Sequence, residues 1–431
     1  MQVDLNVTLS DPQVALAQSS SQRQMAIAIA ALAGSRTGRS APLNLCLILD
    51  QSGSMGGAPM ETVKQAALRL LEKLSVGDRL SVISFDHQAR ILIPNQVVAN
   101  PATLRPAIAQ LAAAGGTAID EGLRLGIEEF SKGKGEAVSQ GMLLTDGENE
   151  HGSNERCLKF AKLAADYGLT INTLGFGDHW NQDVLEQIAD AGGGSLTHIE
   201  RSEDVLGEFS KLFERIQTVG LTNAHLVLEL SDKVALAKLK PVAQVSPDVI
   251  ELEPLSGAQA NQLEVRLGDL MVDLPRQILV NLYVQQLPEG THTIGTLRVR
   301  YDDPSTGETQ LLSEPVAVTV TTVQDHQPQT DAGVQQQVLA LAKYRQTQIA
   351  EQKLQTGDRT GAATMLQTAA QTALQMGDQR AATVLQENAT RLQSGEELSE
   401  SDRKKTRMAS KTMLQPLPET QPLPGEGNRS E

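Results

Sequence analysis

Asp50, Ser52 and Ser54 alternate along "LILDQSGSMGG", where a strongly apolar run gives way to a glycine-containing loop. One carboxylate and two hydroxyls at that spacing suit three chemistries: a phosphate cradle, an activated serine nucleophile, or an oxygen-lined metal site. A phosphate loop needs G-x-x-x-x-G-K-[ST], whereas Gly56 and Gly57 lead into Ala58 and Pro59, with no lysine before Lys64. Nothing of the form G-x-G-x-x-G opens the following helix, so the dinucleotide fingerprint fails as well. "SGSMG" resembles a nucleophile elbow by letters, but the glycines around Ser54 do not keep its offsets. His87 sits in a turn and His151 and His179 in loops, so sequence defines no base for that serine.

The metal reading fits the chemistry. Hard neutral and anionic oxygens suit Mg²⁺ or Mn²⁺, and an extended loop would point the three side chains to one side. Two further loops should meet this one. "AAAGGTAIDEG" presents Thr117 after Gly115-Gly116, and "MLLTDGEN" ends a strand at Asp146 much as the first run ends at Asp50. Asp120, Glu121, Glu148 and Glu150 flank these loops, to tune affinity or simply as solvated loop charges. Asp178, His179, Trp180 and Asp183 in "GFGDHWNQD" read first as a capped helix start with a packed tryptophan, and second as residues that shape the rim of the site. His225 and His292, in strand patterns, read as structural.

The elements that must hold these loops follow from periodicity. Between residues 43 and 219, short runs such as "LNLCLIL", "RLSVISF" and "GMLLTD" alternate with amphipathic stretches, among them "METVKQAALRLLEKL" and "ATLRPAIAQLAA". Such alternation predicts a doubly wound, Rossmann-like α/β domain, with "ARILIPNQV" as an antiparallel edge strand. Its ligand crevice lies at the carboxyl ends of the strands. Residues 221–323 alternate in period two with turns such as "DDPSTGE", an antiparallel β-sandwich signature. Residues 1–40 read as two strands that complete this sandwich, which makes the α/β domain an insertion near its start. A helical region, 333–413, carries the quasi-repeat "LQTGDRTGAATMLQ" and "LQMGDQRAATVLQ", each copy a helix end, a Gly-Asp turn and a new helix start. Residues 414–431, with "QPLP" twice, are expected to be disordered.

Composition narrows the function. The net charge of −15 argues against general nucleic-acid binding, and the one basic run, "RKKTR" from Arg403, reads as a solvated helix end beside candidate phosphorylation sites Thr406, Ser410 and Thr412. Cys46 and Cys157 cannot form a disulfide framework and read as buried thiols. The amino terminus lacks a signal-peptide pattern, and "MAIAIAALAG" is too short to span a bilayer. A cytoplasmic protein without a membrane span is expected.

The set D-x-S-x-S, then T, then D (Asp50, Ser52, Ser54, Thr117 and Asp146) resembles the metal-ion-dependent adhesion site of von Willebrand factor type A (VWA) domains, over residues 43–219. The flanking strands and helical tail resemble the bacterial inter-alpha-trypsin-inhibitor-like or calcium-activated-chloride-channel-like VWA group. The resemblance implies that these five residues hold Mg²⁺, with Mn²⁺ or Ca²⁺ as substitutes. It also implies a non-enzymatic protein whose partner offers an Asp or Glu to the ion, within an assembly such as that of an AAA+ ATPase. Two alternatives stay open: a metal-dependent hydrolase using Glu148 or His151 as base, and a scaffold acting through the C-terminal helices.

Overall fold

The computed structural model describes residues 2–32, 41–135, 137–257, 261–272 and 274–411. The linker expected from residue 34, the Pro-rich tail and Thr412 lie outside these, in whole or in part.

The chain begins with β1 (Gln2–Leu9), β2 (Gln13–Ala15) and β3 (Ser20–Leu32). An α/β layer follows. Its strands are β4 (Leu43–Asp50), β5 (Arg79–Phe85), β6 (Ala89–Val97), β7 (Val138–Thr145), β8 (Thr170–Phe176) and β9 (Gly193–Ile199). They form one sheet in the order β6-β5-β4-β7-β8-β9, parallel except for the antiparallel edge strand β6. Its helices are α1 (Ala58–Lys73), α2 (Arg105–Ala109), α3 (Ile119–Ser131), α4 (Asn154–Asp166), α5 (Gln182–Gly192) and α6 (Val205–Gln217).

Every residue of β4 is buried because helices cover both of its faces. Leu43, Leu45, Leu47 and Leu49 pack with α1 and α6 residues such as Leu70 and Phe213. Cys46 and Ile48 point the other way, against Leu123 of α3 and Leu185 of α5. One expectation fails here. "ATLRPAIAQLAA" gives only a 3-10 turn, Pro101–Thr103, and the five-residue α2, since Pro106 lacks the N–H that a longer helix through this stretch needs.

After α6 come β10 (Val219–Leu230), β11 (Val234–Leu236), β12 (Val242–Ser246), β13 (Ile250–Leu252), β14 (Leu255–Ser256), β15 (Gln262–Met271), β16 (Arg276–Gln285), β17 (Gly290–Asp303), β18 (Glu308–Leu312) and β19 (Val316–Val323). Two sheets result, one ordered β1-β3-β16-β12-β13, the other β14-β15-β10-β17-β19-β2. Side chains from both, including Ile27, Val280, Leu226 and Val299, share one core. Pairing is not wholly antiparallel, because β2 crosses to the second sheet and runs parallel to β19. Residues 1–40, read as two strands, thus contain a third.

The last region comprises α7 (Ala332–Gln355), α8 (Arg359–Gln375), α9 (Gln379–Gln393) and α10 (Glu400–Lys411). Both Gly-Asp turns form as the repeat predicts. Gly357 and Gly377 take φ of +82° and +78°, and Asp358 and Asp378 cap α8 and α9 by accepting from the Gly361 and Ala381 amides. Alanines such as Ala362, Ala369 and Ala382 fill the helix interfaces, and α7 lies on the first sheet through Leu341 and Tyr344. Among the described residues no helix is long and apolar enough to cross a membrane.

The basic run is not a solvated helix end. Lys404 and Lys411 are buried, and α10 lies against the α/β layer because α5 offers it carboxylates. Thr406 and Ser410 are buried too; the Thr406 hydroxyl accepts from Asn388 and Ser410 donates to the Arg407 carbonyl. Neither is an exposed phosphorylation site.

Candidate metal centre

Asp50 is the last residue of β4 and Asp146 follows β7 directly, on either side of the point where the parallel strand order reverses. The chain after Asp50 is not extended as expected: Gly53–Met55 forms a 3-10 turn. That turn still gathers the oxygens. Ser52 Oγ and Ser54 Oγ lie 3.1 Å apart, and Asp146 Oδ1 accepts from Ser54 at 2.7 Å and from Ser52 at 3.3 Å. A β-carbon built on Gly147 would come within 3.1 Å of Thr117 Oγ1, so the Thr117 hydroxyl faces the Asp146–Gly147 corner. Asp50 stands behind the serines, where Oδ1 accepts the Ser52 amide at 2.7 Å and Oδ2 accepts the Thr145 hydroxyl. All five predicted residues therefore border one cup. Asp50, Ser52, Thr117 and Asp146 are buried, while Ser54 is exposed at its mouth.

Main-chain hydrogen bonds stitch the three loops together. The Ala114 amide donates to Gln51 O at 2.7 Å, Gly53 to Gly115 O at 3.0 Å and His151 to Thr117 O at 2.9 Å. Asn149 of the third loop caps α3 of the second, taking the Ile119 amide at 2.8 Å. Gly115 has φ of +79°, and a β-carbon there would meet His87 Nδ1 at 2.6 Å; one on Gly116 would meet the His151 ring at 2.3 Å. The two glycines are needed because two imidazoles brace the loop that presents Thr117.

The electrostatics suit a cation. Burial pushes Asp50 up to about 6, against the opposing hydrogen bonds from Thr145 and Ser52 and with help from Asp146. Burial likewise raises Asp146, opposed by the two serine hydroxyls. Ionising both without a counter-charge is unfavourable, and a positive ion relieves it. The spacing also suits a small ion: ligands about 2.0–2.1 Å from an octahedral centre lie about 2.9 Å from their neighbours, and the separations above bracket that edge. Among the described residues no three His, Cys, Asp or Glu side chains gather as a metal cluster; hydroxyls supply most of this cup.

The cup opens into a cleft of about 660 Å³, lined also by Glu148, Glu150, Asp178 and His179. Asp120 and Glu121 are not loop charges at the mouth. They lie on the first turn of α3, where Arg156 pairs with both at 2.8 Å and Asp120 is fully buried. His151 turns its ring to Gly116, whereas His179, set aside with it as a base for Ser54 because both sit in loops, lines the cleft. Trp180 packs as expected, 2% exposed, donating to Gly177 O at 2.7 Å. His225 and His292 bond backbone carbonyls, and the two cysteines are buried and free. Sequence reading missed Thr145, whose signal was its place directly before Asp146, and Glu400, which lines the cleft from 254 positions after Asp146 with no local signal at all.

Two family models match: the von Willebrand factor type A domain over residues 44–213, and the Sll0103-like C-terminal alpha-helical domain over residues 332–416. The uncharacterized protein sll0103 of Synechocystis sp. is 60% identical over 416 residues, covering 96% of this chain and 98% of that protein. Human inter-alpha-trypsin inhibitor heavy chain H3 is 28% identical over 43% of this chain, which spans only 22% of that longer protein. A solved von Willebrand factor type A protein from Catenulispora acidiphila superposes with a TM-score of 0.81, covering 96% of this chain and 97% of that one, at 17% identity, a likeness of fold. With a matching α/β layer, a matching helical tail and a full-length relative, this chain belongs to the family of von Willebrand factor type A domain proteins with an Sll0103-like C-terminal α-helical domain.

Proposed function

We propose that this protein is a non-enzymatic interaction protein that binds a divalent cation, Mg²⁺ by preference, in the cup of Asp50, Ser52, Ser54, Thr117 and Asp146. A partner protein's Asp or Glu carboxylate would be recruited through that ion. Ser52, Ser54 and Thr117 would contact it, while Asp50 and Asp146 orient the hydroxyls and supply charge. A largely neutral set of donors leaves a bound Mg²⁺ with net positive charge and an exchangeable position, which a carboxylate fills well. The observation that carries this reading is the 2.7–3.3 Å spacing of three oxygens from two separate loops. In this reading residues 43–219 form the binding domain, residues 1–40 and 221–323 a rigid sandwich beneath it, and residues 333–413 a second docking surface, all in the cytoplasm.

The test is calorimetric titration of Mg²⁺ into wild type and Asp50→Ala, followed by affinity capture with Mg²⁺ or EDTA. Binding and capture that both need Mg²⁺ and Asp50 support the reading, and the captured proteins decide whether an AAA+ assembly is among them. Capture indifferent to EDTA and to Asp50→Ala refutes it.

A further inference from the structure

The face of α10 turned toward the α/β layer carries Glu400, Lys404, Arg407 and Lys411, at the i, i+4, i+7, i+11 spacing of a single helical stripe. Its three cations are fixed. Lys411 Nζ pairs with Asp190 at 2.7 Å and Glu186 at 3.0 Å. Arg407 pairs with Glu186 at 2.6 Å, with Glu351 of α7 at 3.3 Å, and with Asp183. Lys404 donates to the Asp178 carbonyl and sits 4.3 Å from the centre of the Trp180 ring. α10 is thus clamped along α5 and the loop before it, and that loop, through Asp178 and His179, is a wall of the metal cup.

The remaining member of the stripe, Glu400, lies about one turn beyond Lys404, some 6 Å along the helix. This carries it to the cleft that Ser52, Ser54, Thr117 and Asp146 line. Its side chain is exposed, and among the described residues no hydrogen bond or ion pair holds its carboxylate, which feels only the longer-range attraction of Lys404. Asp146, Glu148 and Glu150 already face that cleft. Without a cation, a further carboxylate is held off by repulsion; with one, it is drawn in.

We propose that Glu400 is the cup's own carboxylate ligand. When the cup holds Mg²⁺, Glu400 occupies the position a partner's Asp or Glu would take, and a partner must displace it. This inference rests on the metal reading above. It makes α10 both a structural clasp and a competitor, so that only carboxylates presented with additional contacts, and not stray acidic side chains, gain the site.

Full-length wild type, Glu400→Gln and Asp50→Ala are titrated with MgCl₂ by calorimetry, and amide hydrogen exchange over residues 400–411 is followed with and without Mg²⁺. Glu400→Gln keeps the side-chain length at an exposed position, and thermal melting in EDTA verifies its fold. The expected result is about tenfold weaker Mg²⁺ binding in Glu400→Gln, the scale on which loss of a supporting partner weakens a metal site. Mg²⁺ should slow α10 exchange in wild type only. If Asp50→Ala abolishes binding while Glu400→Gln matches wild type in affinity or in α10 exchange, the Glu400 proposal fails and the metal reading stands. If wild type itself binds no Mg²⁺, both fail.

Discussion

Replacing Asp50 with Asn in the metal-free protein should change how stability depends on pH, by an amount the structure fixes. Burial raises the Asp50 carboxyl to about 6 from its ordinary 3.8. A folded-state value above the unfolded one means that the folded protein binds the proton more tightly. Stability from this group is therefore complete below the unfolded value and is lost as pH rises through about 6. Integrated from about pH 7 down to about pH 5, the gain is about 1.3 kcal/mol for wild type and zero for Asp50→Asn. Other titrating groups, such as His198 and His225, are present in both proteins and cancel in the difference. The assay is urea unfolding in EDTA at the two pH values, followed by the fluorescence of Trp180, the only tryptophan in the chain and a part of this domain. Saturating Mg²⁺ should cancel this pH dependence in wild type, because a bound cation favours the ionised carboxylate. At a hundredfold excess over Kd wild type gains about 2.7 kcal/mol near pH 7, and Asp50→Asn gains far less. Equal pH slopes for the two proteins in EDTA would refute the reasoning, as would equal stabilisation of both by Mg²⁺.

Three further outcomes are expected. Lys411→Ala leaves the carboxylates of Glu186 and Asp190 without their ammonium; it should cost about 3–5 kcal/mol, read as a lower melting temperature and faster proteolytic cleavage within α10. Gly115→Ala forces a side chain into φ of +79° and against His87; a loss of about 1–2 kcal/mol and weaker Mg²⁺ binding should appear by chemical denaturation and calorimetry. Lys343→Ala removes a fully buried ammonium that holds Asp378 at 2.9 Å and the Ala409 carbonyl at 3.0 Å. It should destabilise the helical region by about 3–5 kcal/mol, seen as lost helical circular dichroism at lower temperature.

Much of the fold was legible because its causes are local. The all-apolar run of β4 signals a strand covered on both faces, and the Gly-Asp pairs at Gly357 and Gly377 signal helix breaks that form as read. The cup was legible because Asp50 and Asp146 sit at strand ends, where topology brings loops together regardless of their distance in sequence. Local pattern failed where the backbone could choose. "ATLRPAIAQLAA" has helical spacing but breaks around Pro106, and the three residues of β2 are too few to show a period.

The sequence by itself determined the α/β alternation, the period-two strands, the helical repeat, and a D-x-S-x-S set with a threonine and a second aspartate. These are consequences of neighbours along the chain. Tertiary structure alone decided that Asp120 is a buried partner of Arg156 and not a charge at the cup, and that His151 braces Gly116. It alone decided that the basic run of α10 is a clasp. Lys411 meets Asp190 across 221 positions of sequence, and no periodicity records such a pairing. Charge complementarity between two helix surfaces exists only once both helices have been placed, and that placement puts Glu400 at the cup.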